Sequence, residues 1–453
     1  MRTILQPVSI DQRAEMDKLV VSGQHPLTGS LPTSGSKNTA LTLLTGALLA
    51  DGPVQISNVP NVRDVRTLSE IIAYTGTTVS HDKTAGIVSV DSTSLSAPEA
   101  PYELVKKMRA SFYMLGALLG KYGEARVSLP GGCAWGPRPV NLHMEGMKAL
   151  GATIELEQGY VIAKAPGGRL PGGSFTMEPS SVGATVNLML AAALARGSSR
   201  IENAAREPDV LTFGEALLSM GAKIEGLGTK TIEIEGVDRL NAGAIRNCSD
   251  RIELGTFMIA AAIAGTPGDQ IQITNAEHDH LGASFKDVFA QTGTEVNYGT
   301  DTVTVTVPNR IAPVDITTEV YPGFPTDLQA QWTVFMAQAD GTSKVIETIY
   351  LDRFKHIPEL QRMGLVARVE NNVAIIEGGH QLKGAQVMSS DLRASVSLVL
   401  AGMVAEGETD VLRVYHLDRG YENLEQKLRN AGIQIRRESY DEWAQPVPPV
   451  AEN

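Results

Sequence analysis

The chain is poor in cysteine: Cys133 and Cys248 are the only two among 453 residues. So few thiols argue against a disulfide framework and for a reducing compartment, so the protein is expected in the cytoplasm. No apolar run is long and charge-free enough to span a bilayer, and Met1–Glu15 lack the apolar centre of a secretory signal. A membrane is therefore not an expected partner. Positive charge is also short: 39 Lys and Arg stand against 51 Asp and Glu, a net charge of -12. With no basic stripe to offset that balance, nucleic acid is not expected as a partner either, and any small anion must be met by cations gathered locally. What remains is the composition of a soluble enzyme, 43% hydrophobic, with core enough for two domains.

What the chain has in abundance is order of a longer period. Gly76, Gly151, Gly221, Gly293, Gly364 and Gly432 recur at intervals of roughly 70 residues, each closing the same kind of segment. Each segment opens with a nearly all-apolar helical stretch: Thr39–Ala50, Ser111–Leu119, Ala184–Ala195, Gly255–Ala264, Leu328–Ala339 and Ala394–Ala405. Gly52, Gly123, Gly197, Gly341 and Gly407 follow, where left-handed residues end helices. A short β-branched run and an amphipathic helix come next, and two alternating strands follow the punctuating glycine. The unit reads β-α-β-α-β-β, so the fold class is α/β. A helix apolar on every face must lie between other elements, so the first helices of three units pack together with sheets around them, an inside-out barrel.

The sixth unit lacks strands that Lys18–Val21 and Ser30–Pro32 can supply. Two lobes of three repeats follow, one from 38 to 247, the other from 1–37 plus 248–453. Chain links near Ser36–Lys37 and Asn247–Cys248 leave a cleft and a hinge between them, and 1–15 and 440–453 read as flexible tails.

Where strands feed helices toward that cleft, the copies carry Lys37–Asn38, Arg109, Ser181, Asp250–Arg251, Asp327 and Asp391–Arg393. Capping accounts equally well for Ser181, Asp250 and Asp391. It accounts poorly for Lys37, Arg109 and Arg393, because a cation is disfavoured at a helix N-terminus unless it shares an anion with the amides. The second unit also inserts Leu129-Pro-Gly-Gly-Cys133-Ala-Trp-Gly-Pro-Arg138-Pro139, a glycine-rich stretch that predicts a hinged lid. Its Cys133, beside Arg138, has the setting of a reactive thiolate, whereas Cys248 at a lobe crossing reads as structural.

Ser34-Gly-Ser-Lys37-Asn38, Met108-Arg109-Ala-Ser111, the Cys133 stretch, Ser181-Val-Gly-Ala-Thr185, Glu202-Asn-Ala-Ala-Arg-Glu-Pro208, Phe324-Pro-Thr-Asp327, Asp391-Leu-Arg393 and Asp418-Arg419-Gly-Tyr421 occur in this order. Together they resemble the UDP-N-acetylglucosamine enolpyruvyl transferase family, over Asp17 to Arg437. The resemblance implies transfer of the enolpyruvyl group of phosphoenolpyruvate to the 3'-hydroxyl of UDP-N-acetylglucosamine, with release of phosphate, at the first committed step of peptidoglycan synthesis. It implies Cys133 as proton donor and target of the epoxide fosfomycin, and Asp327 as general base. Lys37, Asn38, Arg138 and Arg419 would surround phosphoenolpyruvate, with Lys37 and Arg419 also catalytic. Arg109, Arg138, Pro139, Val140, Asn141, Leu142, Ser181, Val182, Gly183, Asp327 and Ile349 would hold the sugar nucleotide. Asp391 and Arg393 would support the site or bind a carboxylate. No metal or other cofactor is implied, and the eight histidines are scattered without a Cys/His cluster.

Some positions depart from the family pattern. Asn141 stands where an Asp commonly meets the uracil, Pro179 replaces a Lys, and Leu351–Asp352 replaces a Glu-Asn pair, leaving the role of Arg353 open. Trp135 adds an aromatic to the lid. Because Asn141 and Pro179 lie on the nucleotide side, an enolpyruvyl transferase for another nucleotide acceptor is the main alternative. An inactive nucleotide-binding paralogue is another, and a shikimate-pathway enolpyruvyl transferase, expected to lack a lid cysteine, is a third that Cys133 argues against.

Overall fold

The computed structural model describes residues 16–106, 108–130 and 140–441. Cys133, Trp135, Arg138 and Pro139 lie outside the described residues.

All six punctuating glycines sit where the backbone needs them. Their φ angles fall between 82° and 102°, a region crowded for any residue with a Cβ. Each ends the second helix of its unit: Arg63–Tyr74, Asn141–Ala149, Pro208–Ser219, Ala283–Gln291, His356–Arg362 or Leu424–Asn430. Among the earlier set, Gly52, Gly123, Gly341 and Gly407 also have positive φ. Gly197 does not; it is needed for close approach, since a Cβ there would lie 2.7 Å from the Pro171 carbonyl oxygen.

The apolar helices run Lys37–Gly46, Met114–Tyr122, Val182–Ala192, Arg251–Ala264, Gln329–Ala337 and Leu392–Val404. They pack together in threes. Met114–Tyr122 touches both other helices of the first group, and all three of the second group touch one another. Gly116 and Gly120 permit the tightest of these contacts, for Cβ atoms there would stand 2.2 and 2.6 Å from backbone oxygens of Asn187 and Leu190.

Among the described residues the strands form six four-stranded sheets. The third unit shows the pattern. Ser174–Thr176 pairs parallel with Ser198–Glu202, which pairs antiparallel with Thr231–Glu235, and Lys223–Glu225 closes the hairpin. No strand is shared between sheets, so they do not close into a hydrogen-bonded barrel. Two hydrophobic cores result. One is drawn from residues between Ala40 and Leu240; the other combines Leu19, Val21, Leu27 and Leu31 with residues from Ile252 to Ile435.

Three sheets take strands from far along the chain. Gly243–Arg246 pairs with Val54–Ser57, and Ser30–Pro32 with Gln270–Thr274. Met16–Ser22 lies between Glu408–Leu412 and Gln434–Tyr440. Tyr440, where a tail was expected to begin, is thus the end of a strand, and its hydroxyl accepts the Arg413 N–H at 3.2 Å.

The two crossing segments pair with each other. Ser36 N–H donates to the Cys248 carbonyl at 2.7 Å, and Asp250 N–H donates to that of Ser34 at 2.9 Å. Cys248 is buried there and its thiol is pushed up to about 12, chiefly by that burial. It is inert as a nucleophile. The same crossing delivers two apolar helices, beginning at Lys37 and Arg251, to one cleft.

Candidate active site

The helix starts are built from short polar caps. Ser36 Oγ accepts the Thr39 N–H at 3.2 Å, and Ser181 Oγ that of Ala184 at 3.3 Å. Asp250 accepts Ile252 and Glu253 N–H at 2.8 and 3.0 Å, and Asp391 accepts Arg393 and Ala394 N–H at 2.9 and 3.2 Å. All three residues for which capping was an open reading are caps, which leaves their flanking cations to be explained.

Those cations face a cavity of about 620 Å³ between the two cores. Lys37, Arg109, Arg251, Arg353, Arg393 and Arg419 all line it. Two carboxylates organise four of them. Asp64, in the first turn of Arg63–Tyr74, accepts Arg419 Nε at 2.9 Å and Nη2 at 3.3 Å, with Lys37 Nζ at 3.4 Å. This carboxylate therefore holds Arg419 and Lys37, 382 positions apart in sequence, on one group. Asp327 is held on both oxygens, Oδ1 by Arg353 Nη1 at 2.7 Å and Oδ2 by Arg393 Nη2 at 2.8 Å.

Burial disfavours the charged form of Asp327, but Arg393 and then Arg353 more than offset it and hold the group well below the ordinary value of 3.8. Its side chain is still 29% exposed, toward the cavity it lines. Arg393 is nearly fully enclosed, and its Nη1 donates to the Tyr421 hydroxyl at 3.3 Å. Glu207 also lines the cavity, its carboxyl raised by burial.

Of the residues singled out from the sequence, Lys37, Asn38, Arg109, Ser181, Val182, Gly183, Asp327, Ile349, Asp391, Arg393 and Arg419 come together on this wall. Val140, Asn141 and Leu142 do not. They begin the helix Asn141–Ala149 outside the lining, while His143, one residue on, is part of it. Sequence reasoning missed Asp64, Arg353's pairing, Glu207 and His143. An acid in the first turn of an amphipathic helix carries no mark distinguishing it from a dipole-stabilising one. Among the described residues one set of potential metal ligands converges, Cys248, Glu277 and His280 within 4.8 Å, and none of the three lines the cavity.

Two buried histidines bear on stability. Burial lowers His143 to about 3 and His356 to about 4, from an ordinary 6.5. In the window between those values and 6.5 the unfolded chain binds more protons than the folded one. Stability is therefore full above pH 6.5 and falls as pH drops, by roughly 1.4 kcal/mol per unit for each ring. A lower melting temperature at pH 5 than at pH 7.5 is expected, with a shallower drop for His356→Gln. A flat profile would contradict this.

Two cores of inside-packed helices flanking a cation-lined cleft define the class. The family model for EPSP synthase (3-phosphoshikimate 1-carboxyvinyltransferase) matches residues 21–428. The enolpyruvyl transferase NikO from Streptomyces tendae superposes with a TM-score of 0.85 at 27% identity, covering 94% of this chain and all of that one. EPSP synthase from Acinetobacter baumannii shares the fold at a TM-score of 0.74 and 17% identity, covering 93% of this chain. Nearer in sequence are proteins named UDP-N-acetylglucosamine 1-carboxyvinyltransferase. That of Chloroherpeton thalassium is 52% identical over 95% of this chain and 99% of its own, and that of Prosthecochloris aestuarii 50% over 95% and 100%. The chain belongs to the EPSP synthase family of enolpyruvyl transferases, in the branch of the UDP-N-acetylglucosamine 1-carboxyvinyltransferases.

Proposed function

We propose that this protein transfers the enolpyruvyl group of phosphoenolpyruvate to the 3'-hydroxyl of UDP-N-acetylglucosamine, releasing inorganic phosphate, in the cytoplasm and as the entry to peptidoglycan synthesis. The observation that carries the reading is the cavity itself, where Lys37 and Arg419 meet on Asp64, and Arg353 and Arg393 meet on Asp327. A three-carbon substrate bearing a phosphate and a carboxylate needs such a surround. Guanidinium groups suit it because they bond both anions in a forked fashion.

The chemistry assigns the parts. The enol phosphate is a weak electrophile at C2 until its methylene carbon is protonated, a task for Cys133. The cationic C2 then accepts the sugar 3'-oxygen, whose proton passes to Asp327, giving a tetrahedral ketal. Loss of a proton from the new methyl group re-forms the double bond and expels phosphate from C2. Lys37, Arg138 and Arg419 neutralise the phosphate as it leaves, and Asn38 stands in the same helical turn as Lys37. Asp391 orients Arg393 through the helix start. Arg109, Ser181 to Gly183 and Ile349, all on the cavity wall, hold the sugar nucleotide, and Arg138 and Pro139 are assigned to it by the resemblance alone.

Release of phosphate on mixing the two substrates, with an enolpyruvyl ether as co-product, is the direct test. UMP offered in place of UDP-N-acetylglucosamine should give none. Turnover with UMP alone would instead make this an enolpyruvyl transferase of another nucleotide. Fosfomycin should alkylate Cys133 and stop turnover, and mass spectrometry locating the label elsewhere would remove Cys133 from its role.

A further inference from the structure

His143 is 96% removed from solvent, and the described partners on one edge of its ring fix where its proton sits (exposure 4%). Asn187 sets the chain of constraints. Its Oδ1 accepts the Gly116 N–H at 2.6 Å, and its Nδ2 donates to the Phe112 carbonyl at 2.9 Å. A backbone N–H can only donate and a carbonyl can only accept, so the amide has one orientation. The same Nδ2 lies 2.8 Å from His143 Nδ1, which must therefore accept. A neutral ring whose Nδ1 accepts carries its proton on Nε2.

That Nε2 edge looks onto the cavity wall. A Cβ built on Gly183 would lie 3.3 Å from Nε2 and 3.2 Å from Cε1, so any side chain at 183 would cover the donor. Gly183 is in the first turn of the helix Val182–Ala192, where Ser181 caps only the Ala184 N–H. The Val182 and Gly183 amides precede the first intrahelical bonds and point the same way. Arg109 lines the same cavity and is the charge His143 senses. A fixed N–H, the open end of a helix and a guanidinium together suit an anionic oxygen.

We propose that His143 is a further specificity-determining residue, whose Nε2–H, held in that tautomer by Asn187, donates to an anionic oxygen of the sugar nucleotide at the start of the helix Val182–Ala192. This rests on the sugar-nucleotide reading above. His143 contacts substrate and Asn187 is a positioning residue. A neutral donor serves here because it binds the anion without leaving an unpaired buried charge when the ligand departs.

Calorimetric titration of the full chain with UDP-N-acetylglucosamine, without phosphoenolpyruvate, tests it. His143→Phe keeps the ring and loses the donor, and should weaken binding by about tenfold to a hundredfold. The KM for phosphoenolpyruvate and the kcat at saturation should change by less than about threefold, a split that a general loss of structure would not produce. His143→Gln, whose amide nitrogen reaches the place of Nε2, should recover most of the affinity. Nitrogen-15 spectra of the histidines in the wild-type protein provide a readout that does not depend on either variant folding. They should show Nδ1 bare, Nε2 protonated, and the Nε2–H resonance moving when UDP-N-acetylglucosamine is added. A bare Nε2, an unmoved resonance, or full affinity in His143→Phe overturns the assignment of His143 alone. No binding of UDP-N-acetylglucosamine by the wild type overturns the functional reading as well.

Discussion

Asp327→Asn should lower kcat by about 10²- to 10⁴-fold, the range that loss of a general base produces, while UDP-N-acetylglucosamine still binds. The size of the effect follows from what the carboxylate does and from how it is held. Arg353 and Arg393 occupy one oxygen each, and their field keeps the group ionised far into acid. A carboxylate so stabilised is a poor base toward an ordinary hydroxyl. It becomes adequate only when the attacking oxygen has begun to bond to a cationic carbon and its proton is acidic. An anionic substrate that takes over part of the Arg393 contact also removes part of the field that weakens Asp327. One consequence is testable by pH: with a folded value below 3.8, Asp327 contributes no acid limb to kcat/KM above about pH 5. The amide variant keeps shape and one acceptor but presents an N–H₂ to a guanidinium. Breaking a buried ion pair costs on the order of 3–5 kcal/mol, and Asp327's partial exposure places this variant at the low end. Turnover measured where urea titration shows the variant folded separates the two effects. Unchanged kcat under those conditions would remove Asp327 as base.

The architecture was legible because its signals are local and repeated. Six glycines at one spacing mark one backbone conformation six times, and a helix such as Ala184–Ala195, apolar on every face, has nowhere to go but inside. The observed helix Val182–Ala192 starts two residues earlier because Ser181 is its cap. Gly197 failed as a left-handed residue because sequence does not separate a glycine required for φ from one required by a neighbour, here Pro171. The site was legible where a cation stands at a helix start, as at Lys37 and Arg393, since helix physics alone does not explain one there. It was illegible where the answer is a pairing between side chains that the sequence does not place side by side. Asp64 and Arg419 are 355 positions apart, and Arg353 gains its meaning only from Asp327, 26 residues before it. The asparagine amide that fixes His143 is likewise 44 residues from it.

Arg419→Ala should cost about 10²-fold or more in kcat/KM for phosphoenolpyruvate, from two charge-assisted hydrogen bonds worth roughly 1.5–3 kcal/mol each. Sugar-nucleotide affinity should stay within about threefold of the wild type, because the loss is of phosphate and carboxylate contacts. Asp64 decides how much of that depends on aim. Its carboxylate is 5% exposed and meets the guanidinium in a fork, Nε to Oδ1 and Nη2 to Oδ2, which fixes the plane of a guanidinium that lines the cavity. Lys37 sits on Oδ2 as well, so the carboxylate keeps two like charges close together that would otherwise repel across the cleft. Asp64→Asn removes the fork, since one of its two ends then donates. Alone, it should lower kcat/KM for phosphoenolpyruvate by roughly tenfold, one such bond's worth. In the Arg419→Ala background it should cost less than about threefold, because the group it aimed is gone and only the Lys37 contact remains to lose. A double-mutant cycle in steady-state kinetics reads this directly. Fully additive losses would mean that Asp64 acts on the site through something other than Arg419, and the forked contact would then be a feature of folding rather than of substrate capture.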